Sequence, residues 1–159
     1  MNDQDTKPRR VFLVVADDSE EMKNALRFAC RRAVHTDGHV AILGVVEPVE
    51  YQQWLGVGRV MEEEAREEVE NRLNVLAADV MAMTGTQPTL YIRVGQKREQ
   101  LLSLIADEPE ISLLVLGTAV EGEGPGPLVS ELVAETTRLR VPVTLVPGNL
   151  SSEQIDALS

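Results

Sequence analysis

An α/β domain with an open parallel sheet and helices on both faces is the fold class that this sequence predicts, and three observations predict it. Short runs rich in Val, Leu and Ile recur at Val11–Ala16, Val40–Val46, Thr89–Val94, Leu113–Leu116 and Val143–Val146, each bounded by turn residues. Strands buried on both faces read this way, because no face needs a polar alternation. Between the runs lie segments whose apolar residues return every three or four positions, the period of a helix with one buried face. The strict alternation of the two patterns argues for a parallel sheet with helices on both faces.

The first stripe, Met22, Ala25, Leu26, Ala29, Cys30 and Ala33, predicts a helix with Ser19 at its N-cap. A longer one runs from Val60 to Met83 and is interleaved with EEEAREEVENR, a solvated face on which Glu62 and Arg66 stand one helical turn apart. Leu101, Leu102, Leu104 and Ile105 predict a third helix over Lys97–Ala106. Leu132, Val133 and Thr136 predict a fourth over Leu128–Leu139. The ends, Met1–Arg9 and Gly148–Ser159, are polar and expected to be loose, the last residues forming at most a short helix. We therefore expect a polar extension at 1–10, one domain over 11–147 and a tail at 148–159.

The charge balance excludes some functions. With 26 acidic and 15 basic residues the net charge is −11, a surface that repels nucleic acid and anionic membranes. Arg9, Arg10, Arg31 and Arg32 are too scattered to form a basic patch. The N-terminus lacks an apolar signal core and no apolar run approaches a membrane span, so a cytoplasmic protein is expected. The single cysteine, Cys30, allows no internal disulfide and reads as a small core residue. No catalytic or metal constellation is apparent. His35 and His39 are four apart, but across the turn residues Thr36, Asp37 and Gly38.

The stretch from Ile111 to Pro147 carries the clearest functional signal. It reads as buried strand, glycine-rich loop, helix and buried strand, with Gly117 at the first strand's exit and Gly122, Gly124 and Gly126 in the loop. Glycines before a helix N-terminus allow backbone N–H groups to approach a phosphate. A solvated turn is the plainer reading of GEGPGP. Together with VFLVVADDSEEMKNAL at Val11–Leu26, this segment resembles the universal stress protein family, and the resemblance runs from about Val11 to Pro147.

The resemblance implies a five-stranded sheet in the order 3-2-1-4-5, a homodimer built on the last strand through Val143, Thr144, Leu145 and Val146, and an adenine nucleotide site, for ATP or AMP, between strands 1 and 4. It assigns Asp17 and Val45 to the adenosine half of that site and Gly117 and Ser130 to the glycine motif of the phosphate half, with Leu116 and Thr118 in the same site. Asp17 and Asp18 read equally well as a capping turn before the first helix. The family's glycine motif keeps Gly117 and Ser130 at its ends, whereas Val129 and Ala119 or Val120 stand at its inner glycines. Losing that close approach, with Glu121 and Glu123 in the same loop, predicts weak or no ATP binding. Val129→Gly is expected to restore some of it. We therefore expect a regulatory or binding module rather than an enzyme with turnover, the alternative being a nucleotide sensor or slow hydrolase. The only tryptophan, Trp54, lies in EYQQWLGVGRV between Gly56, Gly58 and the second strand, and suggests either a lid over the crevice or a packing residue.

Overall fold

A computed structural model describes residues 8–48, 57–122 and 124–159, for 57–59 the backbone alone. Tyr51 and Trp54, the proposed lid, and Glu123 lie outside the described residues. Five parallel strands, β1 (Val11–Val15), β2 (His39–Val46), β3 (Thr89–Val94), β4 (Ile111–Thr118) and β5 (Val143–Pro147), form one sheet in the order β3-β2-β1-β4-β5. This is the order that the resemblance implied. β4 is longer than its apolar run because Ser112 sits in an irregularity of the β1–β4 register. There the Ser112 hydroxyl accepts from Val11 N at 3.1 Å, pairing the backbone group that the irregularity would otherwise leave bare.

The strand residues divide between two cores. Phe12, Val14, Val40, Ile42, Val115 and Val146 face α1 (Glu20–Thr36) and α2 (Val57–Thr84), whereas Leu13, Val15, Leu43, Leu114 and Leu116 face α3 (Lys97–Asp107) and α4 (Pro127–Ala134). The α1 stripe is buried as its spacing predicts, Cys30 included, and burial pushes the Cys30 thiol up to about 12. On α2, Arg66 pairs forward with Glu70 at 3.2 Å, and no pair joins it to Glu62 among the described residues. The fourth helix is shorter than expected. It stops at Ala134 and gives way to a 3₁₀ turn at Thr136–Arg138, since two adjacent β-branched threonines are poor helix formers.

The tail corrects another expectation. Residues Ser152–Leu158 form a helix, α5, opened by a capping box in which Ser151 Oγ accepts from Gln154 N and Gln154 Oε1 accepts from Ser151 N. Ile155 is fully buried, and Asp156 accepts a two-pronged bond from Arg27 of α1 at 2.7 and 2.8 Å. Asn24 Nδ2 donates to the carbonyls of Pro147 and Leu150, and Arg32 donates to Ser159 O. One face of α1 thus receives the whole tail.

Among the described residues β5 ends the sheet and pairs with β4 alone. Of the residues assigned to a dimer contact, Leu145 is exposed, and Val143 and Thr144 are half-buried. The Val146 side chain is buried in the molecule's own core, so it is not available to a partner as expected.

Ile155→Ala is expected to cost about 2–5 kcal/mol in urea unfolding, the range for truncating a fully buried isoleucine. Were the tail loose, the cost would be within about 0.5 kcal/mol. A pH effect follows from His39, whose Nε2 lies 2.8 Å from Thr89 Oγ1 at the start of β2 and β3. Burial, with Arg9 nearby, holds its pKa below the ordinary 6.5. The unfolded chain therefore takes up this proton first, so the contribution is full above about pH 6.5 and is lost as pH falls from there toward the lower folded value. Urea titrations of the natural chain and His39→Gln across that window should differ in slope, the variant being flatter.

Candidate functional site

The sheet changes winding direction between β1 and β4. The chain leaving β1 enters α1 on one face, the chain leaving β4 enters α4 on the other, and a crevice opens between them at the strand C-termini. It encloses about 550 Å³, room for a small organic molecule. Val14, Val15, Val115 and Leu116 make an apolar floor. The first turns of α1, the start of α3 at Gln96–Arg98 and the loop and helix from Pro125 to Val129 make the walls.

Asp17, Leu116 and Gly117 line this crevice together, as the sequence suggested. Val45, Thr118 and Ser130 are not among the residues that line it. Val45 packs in the core under α3, Thr118 accepts through its carbonyl from Gly148 N at 3.0 Å, and Ser130 is exposed on α4. Asp17 Oδ1 accepts from both the backbone N and the hydroxyl of Ser19. Ser19 does stand at the N-cap of α1, yet its hydroxyl makes no capping bond because it is turned back to Asp17. Asp18 is paired with Arg72 of α2 at 2.6 Å.

Gly117 is required by packing. A Cβ there would collide with the carbonyl oxygen of Glu21 and stand 2.5 Å from its carbonyl carbon, so the bare backbone is what lets α1 lie against β4. Gly122, Gly124 and Gly126 have φ of 90°, 78° and 105°, a conformation that side chains disfavour, and their loop closes on a bond from Ala119 N to Pro125 O at 3.1 Å. Val129 lines the crevice and is also buried among Leu101, Leu116 and Leu132. The position read as a lost phosphate contact is therefore a core position here.

Few backbone donors face the crevice from α4. Pro127 is its first residue and has no N–H, and Ser130 N bonds Gly126 O, which leaves Leu128 and Val129 in the first turn. The charged lining is acidic: Asp17, Asp18, Glu21, Glu47 and Glu131 against Lys97 and Arg98. Arg98 is held by Glu99 at 3.4 Å and Glu135 at 3.7 Å. Sequence reasoning placed the repelling charge on Glu121 and Glu123. Glu121 is exposed and absent from the lining, whereas Glu21, Glu47 and Glu131 were missed. Their positions, a first helical turn, a strand exit and a second helical turn at the crossover, are the signal that locates them. Among the described residues no group of three or more His, Cys, Asp or Glu is arranged to hold a metal.

Two substitutions separate packing from ligand contact. Gly117→Ala should destabilise by about 1–3 kcal/mol or more, because the obstacle is backbone and cannot rotate away. Val129→Gly, the change expected to restore a phosphate contact, should cost about 3 kcal/mol from lost burial and helix propensity together. Chemical denaturation without ligand reads both. Unchanged midpoints would mean that neither residue is structural.

The universal stress protein family model matches residues 8–147. No curated protein matches the chain at a significant level. Among solved structures, universal stress protein UspA from Lactobacillus plantarum superposes with a TM-score of 0.73 at 18% identity, covering 87% of this chain and 97% of that one. The universal stress protein from Archaeoglobus fulgidus in complex with dAMP gives 0.63 at 16%, covering 87% and 97%. A universal stress protein family protein from Arabidopsis thaliana with AMP bound gives 0.57 at 17%, covering 88% and 92%. These likenesses agree with the topology, and the match of the family model over most of the sequence establishes that the chain belongs to the universal stress protein family.

Proposed function

We propose that the protein is a cytoplasmic, homodimeric regulatory or binding module of the stress response, with weak or no ATP binding and no catalytic turnover. The observation that carries this reading is the rim of the crevice: five carboxylates line it against two cations, and Pro127 removes one donor from the helix start facing it. A triphosphate entering there meets repulsion on the order of 1 kcal/mol per close pair even in water. Homodimerisation rests on β5, whose outer edge presents unpaired backbone groups beside the exposed Leu145. A second copy related by a two-fold axis satisfies both at once.

A second reading, an adenine nucleotide sensor or slow hydrolase acting at Asp17, Leu116 and Gly117, is favoured by the AMP and dAMP bound to its structural relatives and by the apolar floor of the crevice. The phosphate-side positions Thr118 and Ser130, and Val45, enter this reading only if ligand binding rearranges the walls.

Light scattering at micromolar concentration should give twice the chain mass of 17.5 kDa, and Leu145→Lys should return the monomer mass. A monomeric natural chain would sink the dimer. Millimolar ATP should raise the melting temperature little or not at all, whereas sub-micromolar ATP affinity in calorimetry would overturn the lead reading in favour of the second.

A further inference from the structure

We infer that the crevice selects its ligand by charge, admitting an uncharged nucleoside-type body and disfavouring each added phosphate, with Glu21, Glu47 and Glu131 as the groups that set this order. The inference rests on the reading that the crevice takes an adenine-containing ligand, and it names the member of that class that fits. The floor of Val14, Val15, Val115 and Leu116 offers a flat apolar organic body a place to leave water. The rim offers an anion little.

Some of these charges are already neutralised. Asp18 is paired with Arg72, and Arg98 with Glu99 and Glu135. Among the described residues Asp17, Glu21, Glu47, Glu131 and Lys97 have no ion-pair partner. Among the described residues, four carboxylates without an ion-pair partner therefore line the cavity against one such ammonium. They come from three sides, the chain entering α1, the exit of β2 and the second turn of α4. A phosphate moved away from one approaches another.

A cleft with low-dielectric walls focuses such a field. Glu131 matters most to an anion approaching α4, because it projects from the same helix whose first-turn N–H groups would otherwise attract that anion, and Pro127 has already removed one of them. Asp17 differs from the other carboxylates in accepting two bonds from Ser19, so a donor on a neutral ligand meets an acceptor that is held in place.

Isothermal calorimetry with adenosine, AMP and ATP, in EDTA at 0.1 M and 1 M KCl, tests this on the full chain. At 0.1 M the affinities should fall in that order, with ATP at least about tenfold weaker than adenosine, equivalent to about 1.4 kcal/mol. At 1 M the Debye length falls from about 10 Å to about 3 Å, and the gap should close. The double variant Glu47→Gln with Glu131→Gln should shift the ATP-to-adenosine affinity ratio toward ATP by about tenfold at low salt. Both residues are exposed, so folding should tolerate the change, and a urea melt checks it. ATP binding as tightly as adenosine at 0.1 M, or a gap that neither salt nor the variant moves, overturns charge selection while leaving the adenine site standing. No heat from any of the three at millimolar concentration overturns the adenine site itself, and the inference with it.

Discussion

Residue 117 has no side chain, and the backbone of Glu21 occupies the space that one would need. This single close approach fixes the first turn of α1 across the exit of β4. The same turn meets Gly148, where a Cβ would stand 3.0 Å from that of Glu21 and 2.9 Å from Thr118 O. The end of β4, the start of α1 and the exit of β5 therefore share one joint, closed by the bond from Gly148 N to Thr118 O. α1 becomes one wall of the crevice, and the tail leaves β5 at the height where Asn24 can hold the carbonyls of Pro147 and Leu150.

That joint explains why a glycine at a strand exit supports two arguments that sequence alone does not separate. A ligand phosphate and a helix backbone both demand the absence of Cβ. Here the helix is in contact with Gly117, and the crevice lies beside it. Val129 behaves in a complementary way. A glycine would permit backbone approach at that position, but the side chain present fills the core beneath α4. Filling the core there strengthens the packing of α4 and takes up the space that a close backbone approach would need.

The fold was legible because its signals are local and redundant. Buried parallel strands announce themselves as Val, Leu and Ile runs, and the α1 stripe matches the buried set residue for residue. What escaped reading depends on residues far apart in the chain. Ser112 belongs to β4 although it interrupts the apolar run, because its hydroxyl pairs with Val11 across 101 residues. The tail looked polar and loose, yet Ile155 and Asp156 find their partners on α1, and neither partner shows in the nine-residue segment itself. In the crevice, Asp17 and Gly117 were legible as strand ends. Glu47 and Glu131 were not, because a glutamate on a loop or helix surface has no distinguishing pattern until the topology turns it toward a cavity.

The arginines complete the account of the charge. Arg31 and Arg32 form no basic patch with Arg9 and Arg10, but with Arg27 they lie on the face of α1 that receives α5, and Arg27 pulls the Asp156 carboxyl below its ordinary range. Arg140 donates to the carbonyls of Ile105, Glu108 and Ile111 and so caps the end of α3. Arg98 and Arg138 join α3 to the 3₁₀ turn through Glu99 and Glu135. Arg93 meets Asp107 and Arg72 meets Asp18. These arginines thus sit at joints between elements, where a planar guanidinium satisfies several acceptors at once. Among the described residues Asp17, Glu21, Glu47 and Glu131 line the crevice without such partners, so the pairing that joins the elements leaves the rim of the crevice acidic.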